Sequence, residues 1–166
     1  MRVIVFLLAA SASLHALGAT IVGRVVAIAD GDTITVLDGS RVQHKIRLAG
    51  IDAPEKKQAF GQASKESLSQ LAYGRQAVVI WEKTDRYNRV VGKVMISDSD
   101  VCLEQVRRGM AWHYVKYAKE QPAEDAREYA TSEIKARREN LGLWREARPV
   151  PPWDWRAEKK ARPASY

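Results

Sequence analysis

The sequence predicts an α+β fold, mainly β: five short strands closing into a small barrel, accompanied by three helices. Strand-like segments, β-branched or alternating, dominate the chain up to about residue 96. Helical periodicity appears only after the third strand and following the fifth. A barrel is the economical way for so few strands to hide their edges, and the inserted helix makes an OB-type topology the expected one. The 166 residues fit a single domain.

The first segment stands apart from that fold. Residues 1–19, MRVIVFLLAASASLHALGA, carry a basic Arg2, an apolar run from Val3 to Ala10 and a small-residue exit. This pattern reads as a secretory signal, too short to span a bilayer. Cleavage is expected after Gly18 or Ala19, giving an exported protein, periplasmic or secreted, with no stable membrane association afterwards. The lone cysteine, Cys102, excludes an intramolecular disulfide and reads as a small buried thiol in VCLEQV.

The barrel domain is expected over residues 20–146. TIVGRVVAIA forms the first strand and ends at the turn signal Asp30-Gly31. TITVL alternates and runs through Asp38-Gly39-Ser40, a tight hairpin, into RVQHKIRLAGI. Phe60, Ala63, Leu68, Leu71 and Ala72 share one face of a helix over about 60–73, with Gly74 at its exit. AVVIWEK and VVGKVMI supply the last two strands around the polar loop TDRYNR. Asp100 is a natural N-cap for VCLEQVRRG, and a longer helix runs from Pro122 to near Asn140. The tail, 147–166, begins with three prolines before Trp153; its start should be extended, with Trp153 and Trp155 packed back on the barrel.

Composition narrows the function. Apolar residues at 46% and charged residues at 28% exclude a disordered chain. A net charge of +7 attracts polyanions, of which nucleic acid is the commonest. His15, His44 and His113 lack the spacing of a catalytic pair or a metal cluster, so they are assigned structural or surface roles, and no zinc site is expected.

Three loops carry the chemistry: Asp30-Gly31-Asp32-Thr33, the run from Arg47 to Glu55 (RLAGIDAPE), and Asp85-Arg86-Tyr87-Asn88-Arg89. Alone, each has a bland reading as an Asx-capped turn, a strand exit or a polar hairpin. Together they hold what phosphodiester cleavage needs. Asp32 and Asp52 can hold a hard divalent cation, Glu55 can handle the attacking water, and Arg47 and Arg89 can clamp the charged phosphate oxygens. A module that only binds nucleic acid would not need the carboxylates. An envelope protein binding another polyanion would not set acids beside arginines.

The combination of D-G-D-T at 30–33, R-L-x-G-I-D-x-P-E at 47–55 and T-D-R-Y-N-R at 84–89 resembles the staphylococcal nuclease (thermonuclease) family. V-R-R-G-M-A at 106–111 and L-G-L-W at 141–144 extend the likeness over about 20–146. The resemblance implies an OB-fold barrel, Ca²⁺, and a monomer cutting DNA and RNA to leave 3′-phosphate ends. By matching position, Asp32, Asp52 and the Ala53 carbonyl would bind calcium, and Glu55 would be the base. Arg47 and Arg89 would grip the phosphate, with Arg86 and Tyr87 contacting substrate and a base-stacking tyrosine falling between Tyr114 and Tyr117, taken as Tyr114. Ala53 stands where the best-known member has threonine, which a backbone ligand tolerates. The basic loop after Glu55 is shorter here, which bears on substrate preference rather than on the reaction.

Overall fold

The computed structural model describes residues 19–161. The signal assigned to 1–19 therefore lies, but for Ala19, outside the described residues. Strands β1 (Ala19–Ile28), β2 (Thr33–Asp38), β3 (Gln43–Leu48) and β4 (Ile51–Asp52) precede helix α1 (Gly61–Ala72). Strands β5 (Gln76–Thr84), β6 (Val90–Ile96) and β7 (Ser99–Asp100) lead into α2 (Val101–Arg107). Then follow β8 (Trp112–His113), a 3-10 turn at Val115–Glu120, α3 (Ala123–Arg138), a second 3-10 turn at Gly142–Arg145, and α4 (Pro152–Ala161).

The five long strands close as expected. The order β3-β2-β1-β5-β6 is antiparallel throughout, and a parallel pairing of β3 with β6, from Ile46↔Val90 to Leu48↔Gly92, seals the barrel. Register shifts between Val25 and Ala27 and between Trp81 and Lys83 mark bulges, which bend strands sharply enough for so small a closure. Alternation sends Val25, Ile34, Val36, Ile46, Leu48, Val79 and Val94 inward, where they meet Leu68 of α1, Val106 of α2 and Tyr129 of α3. Truncating one such side chain, Leu68→Ala for example, costs about 2–5 kcal/mol. Asp100 caps α2 through Oδ1, which accepts from the Cys102 and Leu103 amides at 2.9 and 3.1 Å. Cys102 is fully buried, as its apolar neighbours required. Among the described residues no helix is long and apolar enough to cross a membrane.

Three local features depart from expectation. The hairpin after β2 is wider than Asp38-Gly39-Ser40: Asp38 Oδ1 accepts from the Ser40 and Val42 amides, and Arg41, not the glycine, adopts the left-handed conformation at φ 63°. The third strand breaks at Gly50, whose φ of 72° lets the chain turn before β4. Beyond its proline-rich start the tail coils into α4, a fourth helix where three were expected, whose Trp153 packs against Trp112 while Pro152 is buried.

Candidate active site

Backbone pairing assembles the site. Thr33 faces Arg47 across β2 and β3, and the Leu48 amide donates to the Asp32 carbonyl at 2.8 Å, so the first loop lies against the end of β3. Gly31 sits so close to α1 that a Cβ there would fall 1.9 Å from Ser64 Oγ. The buried Gln105 amide of α2 donates to the Gly31 carbonyl at 2.8 Å, fixing the loop from behind. Asp52 is positioned by β4, which pairs it with Trp112, while the Tyr114 amide donates to the Gly50 carbonyl.

Arg47 joins the two acidic loops. Its Nη2 lies 2.9 Å from Asp52 Oδ1 and 3.1 Å from Asp32 Oδ2, and its Nη1 donates to the carbonyls of Leu48 at 2.8 Å and Ile51 at 2.9 Å. Asp32 also accepts from the Ala53 amide at 2.8 Å and from Thr33 Oγ1 at 3.0 Å. Asp52 is almost fully buried, and that burial raises its carboxyl above the usual range even against Arg156 and Arg47. Glu55 stands at the mouth, half exposed.

Arg89 approaches from the side, because β6 begins beside β3. Its Nη1 donates to Thr33 Oγ1 at 3.3 Å, and its Nε and Nη2 hold Asp85 Oδ2 at 2.7 Å. Burial raises the Asp85 carboxyl, but hydrogen bonds from the Arg89 amide and guanidinium and the Tyr87 amide outweigh it, leaving the pKa lowered. Tyr87 is 65% exposed, with the guanidinium carbons of Arg86 and Arg89 at 4.8 and 5.5 Å from its ring centroid. Arg86 touches Tyr87 and none of the carboxylates. Tyr114 borders Asp52; burial and then the Asp52 charge raise its hydroxyl pKa. His44 pairs with Asp38 at 2.7 Å and His113 is buried against Gln121, and neither bonds to Asp32, Asp52 or Glu55.

Sequence reasoning missed residues from the tail. Arg156 of α4 holds Asp52 Oδ2 at 2.7 Å and Glu55 Oε1 at 2.7 Å, and Trp153 stacks on Tyr114 with ring planes 2° apart. The helical run WDWRAEKKA gave no sign that one of its several basic residues was special. Asp30 was seen only as part of a turn. Burial, then the Asp32 charge, pushes its carboxyl up to about 6.

That donor set fits a hard cation. Among the described residues no three His, Cys, Asp or Glu side chains form a metal cage by themselves. Asp32 and Asp52 share the Arg47 guanidinium, Arg156 adds a second at Asp52 and Glu55, and Asp30 beside them meets no Lys or Arg within ion-pair distance among the described residues. Four carboxylates against two guanidinium groups, with oxygen donors only, suit a hard divalent cation completed by water.

A family profile described as staphylococcal nuclease homologue matches residues 45–146, more than half of the chain. The chain belongs to the staphylococcal nuclease family. An uncharacterized endonuclease of Haemophilus influenzae is 41% identical over 137 residues, covering 82% of this chain and 74% of that one. A micrococcal nuclease of Shigella flexneri is 39% identical over 147 residues, covering 83% and 82%. A staphylococcal-like nuclease of Arabidopsis thaliana is 36% identical over 116 residues, 70% of this chain but 34% of the plant protein. The chain is accordingly a nuclease, a hydrolase acting on nucleic acid, and its barrel is the OB-type fold of that family.

Proposed function

We propose that this nuclease is an exported, monomeric, Ca²⁺-dependent enzyme that hydrolyses phosphodiester bonds of both DNA and RNA and leaves 3′-phosphate ends. One observation supports it above the others: Arg47 bridges Asp32 and Asp52 at the barrel mouth, with Glu55 beside them. The net charge of +7 draws the polyanionic substrate toward the enzyme.

Asp32, Asp52 and the Ala53 carbonyl would hold Ca²⁺, which supplies positive charge against the scissile phosphate. Glu55 takes the proton of the attacking water. The water oxygen bonds to phosphorus as the bond to the 5′ oxygen breaks, and that oxygen leaves with a proton from solvent. Arg47 and Arg89 donate planar forks to the equatorial oxygens, whose charge grows toward the transition state. Tyr87 and Arg86 contact the phosphate from the exposed loop, and Tyr114 offers a face to a base.

The test is digestion of heat-denatured DNA and of RNA in Ca²⁺, in Mg²⁺ and in chelator, beside an Asp32→Ala control. Cleavage with Ca²⁺, little with Mg²⁺ and none in chelator or in the variant is expected. Products should carry phosphatase-sensitive 3′ ends. Equal rates in Mg²⁺, or full activity in chelator, would overturn the calcium role. Intact-mass measurement of the fractionated protein should find a chain beginning near Ala19 or Thr20, and a full-length cytoplasmic species would overturn export.

A further inference from the structure

Helix α4 occupies the groups that the reaction needs free. Arg156 Nη2 lies 2.7 Å from Asp52 Oδ2, and its Nη1 reaches Glu55 Oε1 at 2.7 Å and Asp52 Oδ1 at 3.3 Å. With Arg47 already on Oδ1, both oxygens of Asp52 are taken by guanidinium groups. Three residues earlier, Trp153 covers one face of Tyr114 at a centroid distance of 5.3 Å, too close for a base to slip between the rings. One helix thus sits on the metal carboxylate, the base and the stacking face together.

The attachment is lighter than that of the other three helices: Pro152 is the only buried residue of α4, Trp153 is half-buried against the Trp112 cluster, and the Arg156 side chain is 43% exposed. The segment before it is anchored, since Gln58 Nε2 donates to the Val150 carbonyl at 2.6 Å. The prolines at 151 and 152 mark the boundary between that anchored stretch and α4, Pro152 standing in the first turn, where its missing amide costs nothing.

We infer that α4 is an autoinhibitory latch, with Arg156 filling the place of the cation at Asp52 and tying up the base Glu55, and Trp153 covering Tyr114, and that Ca²⁺ and nucleic acid displace it together. The inference rests on the roles proposed above for Asp52 and Glu55. Each group that the closed latch occupies finds a partner in the open state: Asp52 is left to Ca²⁺, Glu55 to the attacking water and the Tyr114 face to a base, while the freed Arg156 and Trp153 turn to solvent. Each ligand thus favours the open state and draws the other in. A latch closed about nine-tenths of the time would weaken apparent Ca²⁺ affinity about tenfold.

The experiment is calorimetric Ca²⁺ titration of the substrate-free chain carrying its C-terminus, as wild type, Arg156→Gln and Lys159→Gln. Lys159 lies exposed on the same helix and removes the same charge, so it controls for bulk electrostatics. Arg156→Gln should bind Ca²⁺ about tenfold more tightly than Lys159→Gln, and at saturating Ca²⁺ should cleave DNA within about threefold of wild type. Hydrogen exchange on the wild-type chain gives a reading free of substitutions: Ca²⁺ with a short DNA oligonucleotide should speed exchange across Pro152–Ala161. Equal affinities for the two variants, unchanged protection of α4, or loss of cleavage by Arg156→Gln at saturating Ca²⁺ would each overturn the latch. A wild type that cleaves with Ca²⁺ while these results fail overturns the latch alone. A wild type that neither binds Ca²⁺ nor cleaves overturns the calcium reading and the latch with it.

Discussion

Two arginines from opposite ends of the chain meet on Asp52, and they are held in different ways. Arg47 belongs to β3, its side chain is 13% exposed, and two of its three side-chain hydrogen bonds run to the carbonyls of Leu48 and Ile51. Arg156 comes from α4, is 43% exposed, and is held by carboxylates only. Moving Arg47 would orphan buried backbone acceptors as well as charges, whereas Arg156 can exchange its partners for water. Backbone contacts make an arginine part of the scaffold. Carboxylates alone make it a competitor for whatever cation comes next.

Lysine at the scaffold position is the sharpest way to break that comparison. Arg47→Lys should lose about a hundred- to a thousand-fold in single-turnover cleavage, the usual cost of removing one donor matched to the transition state. It should also lose roughly 1–3 kcal/mol in urea melts, since one ammonium cannot serve two carbonyls and two carboxylates. Arg89→Lys should lose similar turnover with much less stability, because its loop is exposed and its tether is Asp85. If Arg89→Lys cleaves within about threefold of wild type, the loop has no part in the chemistry.

How much of this could be read from the chain divides along the same line. The barrel was legible because its strands alternate and its turns carry Asp-Gly signals, and the Arg47 cluster was legible because strand pairing joins loops whose residues stand in recognisable runs. Arg156 was not. Its contacts with Asp52 and Glu55 span about a hundred residues of sequence, 104 and 101, and nothing near it in the chain distinguishes it from Lys159 or Lys160. The same holds for β4 and β8, two-residue strands too short for any periodicity, which together bring Asp52 beside Trp112.

The junction that separates fixed from displaceable tail gives an intermediate effect. The second 3-10 turn is locked to the end of α2, where Leu143 donates its amide to the Gly109 carbonyl at 2.9 Å. Gly109 holds φ 64°, and a Cβ there would fall 2.3 Å from the Leu141 carbonyl oxygen. Gly109→Ala should therefore destabilise the fold by roughly 2–4 kcal/mol, combining left-handed strain with a backbone clash that cannot relax. Arg156→Gln, beyond the junction, should cost less than about 1 kcal/mol in the same thermal melts. Comparable losses for the two would mean that α4 is as integral as the barrel.

The smallest effect concerns the tether of Arg89, and its sign follows from the Asp85 carboxyl. Its folded pKa is lowered, the amides of Tyr87 and Arg89 and the Arg89 guanidinium outweighing the effect of burial. A carboxyl with a depressed folded pKa contributes stability that is fully present above its unfolded value, about 3.9, and fades as pH falls through the folded one. The contribution is therefore constant across the neutral range and disappears only in acid, below about pH 4. Thermal melts of wild type and Asp85→Asn between neutral pH and about pH 2 test this, because the variant lacks the titrating group. The gap between the two proteins should be flat at neutral pH and narrow only in strong acid. A gap that widens as the pH falls would mean that Asp85 is not held in its charged form, and that Arg89 depends on Thr33 rather than on Asp85 for its aim.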